Sequence, residues 1–388
     1  MHLQAEFSLF ALFLARKDTH SLKPKLKNIC ILTESLAGGG AERSAALLST
    51  TLDNLGYNTH LCTITDNIGY PYSGHLVNLG LLKNKRNDVF NKLKRLRYFK
   101  KYLKQNEIQV VLDFRMRRSF FKELLIQLFL YLDILSVYMV RSSFLNYYFP
   151  KNNLLSKILF KNEQLVVLTE ATRKVLKDIY SFHAIHVIPN SIDLNSYAKN
   201  YPMPAGIDSK FIVASGRLER GVKQFDKLIT AYSQSKLPHL KIDLVILGQG
   251  EMLTELQQLV KTLNLENNVK FAGFIESPEA FMSNALFTVL CSAYEGFPRV
   301  ILESLACGTP VVATDCPTGP AELIDGTNGI LVPHQDFEAL TAAMNTLAEN
   351  ELLRTQLKAV SRDSIRKFDT ATVSKDWQQF LEHSYEHS

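Results

Sequence analysis

The sequence predicts an α/β protein made of two doubly wound parallel-sheet domains that face each other across a cleft. Three observations carry this reading. Short, continuous apolar runs alternate with amphipathic stretches of helical period, the pattern of a parallel sheet covered on both faces. The alternation occurs twice, on either side of a stretch rich in Pro, Asn, Ser and Asp. A length of 388 residues also suits two domains of ordinary size better than one.

The first sheet opens at Asn28–Glu34 (NICILTE), which runs into the glycine loop AGGGAE. A helix over about Glu42–Leu55 follows, then a strand at NTHLCTI. Further strands are expected at IQVVLDF, LSVYMVRS and QLVVLTE, with helices between them. The apolar stretch Phe120–Val140 is broken by Lys122, Glu123, Gln127 and Asp133, so it reads as a buried helix followed by a strand. After HVIPNSIDLNSYAKNYPMPAGIDS the plan restarts, with strands at KFIVASG, KIDLVILG, NVKFAGF, LFTVLCS, PVVAT and GILV. From about Phe337 the tail is helical throughout. The expected boundaries are a poorly ordered extension or weak membrane tack at 1–26, an N-terminal domain at 27–190, a linker at 191–208 and a C-terminal domain at 209–370. A last helix, 371–388, is expected to pack back on the N-terminal domain.

Composition is that of a globular protein, 46% apolar and 21% charged. The five cysteines (Cys30, Cys62, Cys291, Cys307 and Cys316) are scattered, with no C-x-x-C and no histidine at metal spacing. They read as reduced, buried thiols of a cytoplasmic protein rather than a zinc site. Phe7–Ala15 has about half the length of a membrane-spanning helix, and it lacks the basic flank of a signal peptide.

Charge is distributed unevenly. Residues 1–200 hold 28 Lys+Arg against 15 Asp+Glu, a net of +13, and the remainder nets −7. The stretch 83–104 alone carries ten basic residues and one Asp. Leu93, Leu96, Phe99 and Leu103 form one apolar stripe along it. Two readings stand side by side: a surface helix with its stripe on the core, or a basic helix against an anionic membrane surface. Nucleic acid fits poorly, because no nucleic-acid-binding motif accompanies the charge.

The most informative stretch is Ser292–Thr314, SAYEGFPRVILESLACGTPVVAT. Glu295 falls in the loop after a strand, and Glu303 lies inside the helix that begins near Pro298. Gly296 lets the backbone approach a ligand, and the free N–H groups of the helix start favour a phosphate. The loop SGRLERGVKQFDKLI leaves the same sheet edge and places Arg217 and Lys223 six residues apart. An Arg fork and a Lys point charge suit a diphosphate, and carboxylates suit hydroxyls, so a sugar nucleotide is the expected ligand. Each of these residues alone would be an ordinary surface charge. The argument rests on their sharing one edge of one sheet.

Five segments together, GGGAE, GRLERGVK, EGFPRVILE, ACGTPVVATD and GPAELI, make residues 28–380 resemble a retaining glycosyltransferase of family 4 with the GT-B fold. The resemblance implies that Arg217 and Lys223 bind the donor diphosphate, that Glu295 contacts the transferred sugar and that Glu303 contacts the ribose. It further implies Gly39 and Gly40 beside the reacting sugar and phosphate, and Phe297 to Val300, with Gly296, along the diphosphate and nucleoside. The base would fall near Phe274 and Ile275. The C-terminal domain would then hold the donor and the N-terminal domain the acceptor. No cofactor and no metal are implied, and no D-x-D occurs in the chain.

The chain departs from its relatives where many carry a histidine after the fourth or fifth strand; Arg141 and Ser142 stand there instead. His183 and His186, a little further on, suit core or surface roles. Asp113, Arg115, Arg117 and Arg118 are either acceptor-side candidates or a solvated or headgroup-facing cluster. By the same resemblance the donor is a UDP-sugar and the acceptor a lipid-linked saccharide. The expected location is the cytoplasmic face of the membrane, reached through the basic helix. Rival readings are a non-hydrolysing sugar-nucleotide epimerase and an inactive nucleotide-sugar-binding module. An NAD-dependent oxidoreductase is disfavoured because Arg43 occupies the last glycine position of the dinucleotide fingerprint.

Overall fold

The computed structural model describes residues 25–197 and 201–388. The extension expected at 1–26 therefore lies outside the described residues except for its last two, and Leu26 is buried in the N-terminal core.

The N-terminal domain runs β1 (Asn28–Thr33), α1 (Gly40–Asn54), β2 (Asn58–Thr63), β3 (His75–Asn78), α2 (Val89–Gln105), β4 (Val110–Asp113), α3 (Phe120–Leu130), β5 (Leu135–Val140), α4 (Asn153–Phe160), β6 (Gln164–Val167), α5 (Glu170–Tyr180) and β7 (Ile185–Val187). These strands form one seven-stranded sheet, every pair parallel, in the order β3-β2-β1-β4-β5-β6-β7. The inner strands are buried on both faces, which explains their unbroken apolar sequence.

The C-terminal domain repeats the plan with β8 (Lys210–Ser215), α6 (Phe225–Gln234), β9 (Ile242–Leu247), α7 (Leu253–Thr262), β10 (Val269–Gly273), α8 (Glu279–Asn284), β11 (Thr288–Leu290), α9 (Arg299–Ala306), β12 (Val311–Thr314), α10 (Pro320–Leu323), β13 (Gly329–Val332), α11 (Phe337–Glu349) and α12 (Glu351–Ser364). Its six-stranded parallel sheet has the order β10-β9-β8-β11-β12-β13. In each domain the winding direction reverses beside the first strand, between β1 and β4 and between β8 and β11. Ligands of such sheets bind at the carboxyl ends of the strands flanking that reversal. The glycine loop, the Asp113–Arg118 segment, the Gly216–Lys223 loop and the Ser292–Pro298 loop leave those four strands.

Two chain crossings join the domains, and they run together. Ile192 accepts from Thr370 N at 3.0 Å and donates its own N–H to Phe368 at 3.0 Å. Beyond this hinge α13 (Thr370–Glu386) returns to the first domain. There Val373, Trp377, Phe380 and Leu381 share a core with Ile29, Ala45, Leu52 and Val110.

Three expectations need correction. The basic helix starts at Val89, where Asp88 caps it by accepting from Asn91 N at 2.8 Å, so Lys83, Lys85 and Arg86 sit on the preceding loop. Its inner face is Asn91, Arg95, Phe99 and Leu103, while Leu93 is exposed. Arg95 is buried because its guanidinium donates to the carbonyl of Ile64 at 2.5 Å, so it cannot meet a headgroup. The helix expected to be buried, α3, exposes Phe121 and Leu125. Among the described residues no helix is long and apolar enough to cross a membrane.

Candidate functional site

The two domains meet at their strand ends. Glu295 is fixed from both sides: its carbonyl accepts from Thr318 Oγ1 at 2.8 Å and from the backbone N–H of Ser143, in the opposite domain, at 3.2 Å. Gly296 packs so closely there that a Cβ would lie 2.1 Å from the Arg141 carbonyl oxygen. Only glycine fits that approach. Phe144 and Tyr294 rings meet across the same seam, 5.8 Å apart, and Ala171 N donates to Glu322 Oε1 at 3.2 Å.

Within this seam the structure brings Lys223 and Glu295 together. The ammonium lies 2.5 Å from Glu295 Oε1, which also accepts from Ser292 Oγ at 2.6 Å. The Lys223 stem folds over Gly216, where an added Cβ would come within 3.1 Å of it. Arg217, on the same loop, does not join them. It is 62% exposed and paired with Glu219 at 3.0 Å.

Glu303, on α9, is buried, and its Oε1 receives two guanidiniums: Arg299 at 3.4 Å from the same helix and Arg43 at 3.1 Å from the opposite domain. Pro298 at the N-cap starts this helix, leaving the first N–H groups of α9 without intrahelical partners. Phe297 and Val300, expected along the ligand, turn their side chains into the core instead. Phe297 packs edge-on against Phe368 at 5.3 Å, so only the backbone here can face a phosphate. Ile275 is half-buried after β10, and the neighbouring Phe274 is exposed.

On the other side of the seam Gly39 is the N-cap of α1, and Glu42 curls back over it. A Cβ on Gly39 would fall 2.1 Å from Glu42 Oε2, whereas Gly40 faces open space. Arg141 donates to Asn190 Oδ1, which also accepts from Ser44 Oγ at 2.9 Å. Burial, with Arg299 nearby, lowers the Arg141 guanidinium to about 10. A cavity of ≈ 20 Å³ between Ser44, Arg141, Asn190, Arg299 and Trp377 has room for about one water. Ser142 accepts locally from Phe144 N at 3.2 Å. His183 is exposed. His186 meets Gln164 Oε1 at 2.9 Å and lies against the Phe380 ring, away from the cleft.

The arginine cluster after β4 resolves differently from either expectation. Asp113, Arg115 and Arg117 are fully buried and bonded within one network, in which Arg117 Nε and Glu123 Oε1 alone have no protein partner among the described residues. Arg115 reaches Asp113 Oδ2 at 2.5 Å and Glu123 Oε2 at 2.9 Å, and Tyr131 OH donates to Asp113 Oδ2 at 3.1 Å. Arg117 donates to the carbonyls of Asp113, Arg115 and Met139. Burial pushes the Asp113 carboxyl up, but Arg115 and Arg117 outweigh it and hold the group below the usual range. These residues build the strand end; neither acceptor nor lipid can touch them. Only Arg118 is exposed, over the Tyr147 ring at 4.7 Å. Arg43 is the residue that the sequence reading passed over. Its place directly behind the glycine loop, one turn into α1, says nothing until the opposite domain supplies Glu303.

Two family models match the chain: "Glycosyltransferase Family 4" over residues 38–196 and "Glycosyl transferases group 1" over residues 204–364. The chain is 29% identical, over 92% of its length and 100% of the relative, to the N-acetylgalactosamine-N,N'-diacetylbacillosaminyl-diphospho-undecaprenol 4-alpha-N-acetylgalactosaminyltransferase of Campylobacter jejuni. Its fold is similar to that of sucrose-phosphate synthase from Thermosynechococcus elongatus, with a TM-score of 0.76 and 20% identity over 93% of this chain and 100% of that one. It is also similar to HepE from Anabaena in complex with UDP, with a TM-score of 0.73 and 20% identity over 92% and 100%.

Proposed function

The chain is a glycosyltransferase of the family 4 type with a GT-B fold, and from that premise we propose that it moves a hexose or N-acetylhexosamine, with retention, from a UDP-sugar to a lipid-linked saccharide during surface polysaccharide or glycan assembly. The observation that carries this reading is the meeting of Lys223, Glu295, Glu303 and the start of α9 along the seam between the two sheets. The named acceptor of the Campylobacter jejuni relative and the UDP in the Anabaena neighbour support the choice of substrates.

In this reading Lys223 and the α9 N-terminus hold the diphosphate, and Arg217 swings in from solvent to join them. Breaking the bond from anomeric carbon to phosphate puts negative charge on the leaving nucleoside diphosphate. Fixed cations and helix N–H groups in a closed, water-poor seam stabilise that charge as it forms. Glu295 accepts from the sugar hydroxyls and Glu303 from the ribose. The leaving phosphate takes the acceptor's proton on the face from which it departs. No metal enters this scheme, so a chelator should leave turnover unchanged, and strict dependence on Mg²⁺ or Mn²⁺ would contradict it.

The acceptor's lipid implies a membrane surface, and the N-terminal domain carries a matching face. Exposed Leu81 and Phe90, the latter 84% exposed, stand among Lys83, Lys85, Arg86, Lys92 and Lys94. Lys100 lies over Phe129 at 4.1 Å, which joins α2 to the exposed apolar side of α3. Apolar side chains ringed by cations suit an anionic bilayer on the cytoplasmic side. Release of nucleoside diphosphate from a panel of sugar nucleotides, with and without a polyprenyl-diphosphate saccharide, tests the proposal. UDP release that depends on the lipid-linked acceptor is the expected result. Sugar interconversion without transfer would indicate an epimerase instead.

A further inference from the structure

Of the contacts described across the seam, the one between Arg43 and Glu303 engages a side chain assigned to the donor. Ser143 on Glu295, and Gly296 against Arg141, are backbone contacts that use no side chain a donor needs. Arg43 instead lies on the carboxylate assigned to the ribose. A vicinal diol donates two hydroxyls, which match the two oxygens of one carboxylate. Glu303 Oε1 receives both Arg43 and Arg299, and Arg43 is one-third exposed. Arg299 belongs to the same helix as Glu303 and moves with it, whereas Arg43 belongs to the other domain.

We propose that Arg43 is a nucleotide-displaced latch: it ties the two domains together through Glu303, and the donor must evict it to bind. The proposal rests on the assignment of Glu303 to the nucleotide. Arg43 suits the task because Arg43 N donates to Gly39 O at 3.0 Å, so the side chain rides on the first turn of α1 directly behind the glycine loop. Donor entry and loss of this ion pair thereby become one event, while the backbone contacts of Ser143 and Gly296 remain to close the seam around the donor. Each nucleotide molecule binds at an affinity reduced by the fraction of protein in which the latch is closed.

The test is UDP binding by calorimetry to the full chain and to Arg43→Met, Arg43→Lys and Glu303→Gln variants. A partly exposed ion pair worth about 1 kcal/mol corresponds to a factor of about five, so Arg43→Met should bind UDP about fivefold more tightly. Arg43→Lys, which keeps the cation, should stay near the unsubstituted protein. In a Glu303→Gln background Arg43→Met should add nothing. Small-angle scattering of nucleotide-free protein should show a larger radius for Arg43→Met than for the unsubstituted chain. Unchanged UDP affinity in Arg43→Met overturns the latch. Weaker binding also overturns it, and would place Arg43 on the diphosphate. The two readings fail separately: Glu303→Gln that binds UDP normally defeats the ribose assignment, whereas weakened Glu303→Gln with unaltered Arg43→Met defeats the latch alone.

Discussion

The ends of β4 and β11 occupy the same place in two similar sheets, each beside the point where the winding reverses, and each carries charge. After β4, Asp113 holds Arg115 and Arg117 in a fully buried network that also takes in Glu123 and Tyr131. After β11, Glu295 and Lys223 pair at the seam, still partly in contact with solvent. Topology puts charged loops at both positions, but it does not say whether a ligand meets them. What decides is whether the charges already have buried partners. A network whose charges are paired with one another inside the protein is part of the scaffold. A pair at an open edge can trade its partner for a substrate.

Substitutions that treat the two ends alike should expose the contrast. Asp113→Ala strands two buried guanidiniums and should cost about 3–5 kcal/mol of stability, read from denaturant unfolding. The carboxyl is held below its ordinary 3.8 in the folded state. Its stabilising contribution is therefore present above the unfolded value and lost as pH falls below about 4. The unsubstituted protein should lose stability steeply over that acid range, and Asp113→Ala should lose less. Lys223→Ala should do the opposite. Turnover should fall about 10²- to 10³-fold, by analogy with the loss of one charge-stabilising donor, while the unfolding midpoint stays in place. Full activity in Lys223→Ala would erase the distinction between the two strand ends.

Finer effects separate the two glutamates. Glu303→Ala should weaken binding of free UDP about tenfold, roughly 1.4 kcal/mol. Glu295→Ala should leave free UDP alone and weaken only the intact UDP-sugar. Equal losses for both ligands in both variants would remove the assignment of sugar to one and ribose to the other. The smallest effect concerns the apolar and basic face of the N-terminal domain. Lys85→Ala should lower affinity for anionic vesicles by about 1 kcal/mol, and the whole attraction should weaken with salt. Co-sedimentation at low and high ionic strength measures both. Equal binding to neutral vesicles would mean that charge has no part in it.

The fold class was legible because strands buried on both faces must be apolar throughout, and every such run from NICILT to GILV forms a strand. β3 and β7 escaped. They are four and three residues long and lie at sheet edges; β3 begins and ends in polar residues, His75 and Asn78, and β7 has His186 at its centre. Burial of charge was the least legible property. LDFRMRR and the Arg95 position of α2 look like solvated surface in sequence. Partners that are distant in the chain, Glu123 for Arg115 and the Ile64 carbonyl for Arg95, draw them inside. Arg43 was overlooked for the converse reason. A lone arginine behind a glycine loop carries no signal until the opposite domain supplies Glu303.

The return of α13 to the first domain has a consequence for the order in which the protein is made. Trp377, Phe380 and Leu381 fill the core that also holds Ile29, Ala45 and Val110, so that core lacks a wall until α13 has been translated. Domains otherwise fold as units, the N-terminal one first, during synthesis. Here the C-terminal domain can finish as soon as α12 leaves the ribosome, while the domain begun earlier waits for its closing helix. A chain cut short after Ser364 would release a complete second domain attached to an unfinished first one, with Leu52 and Val110 open to other chains.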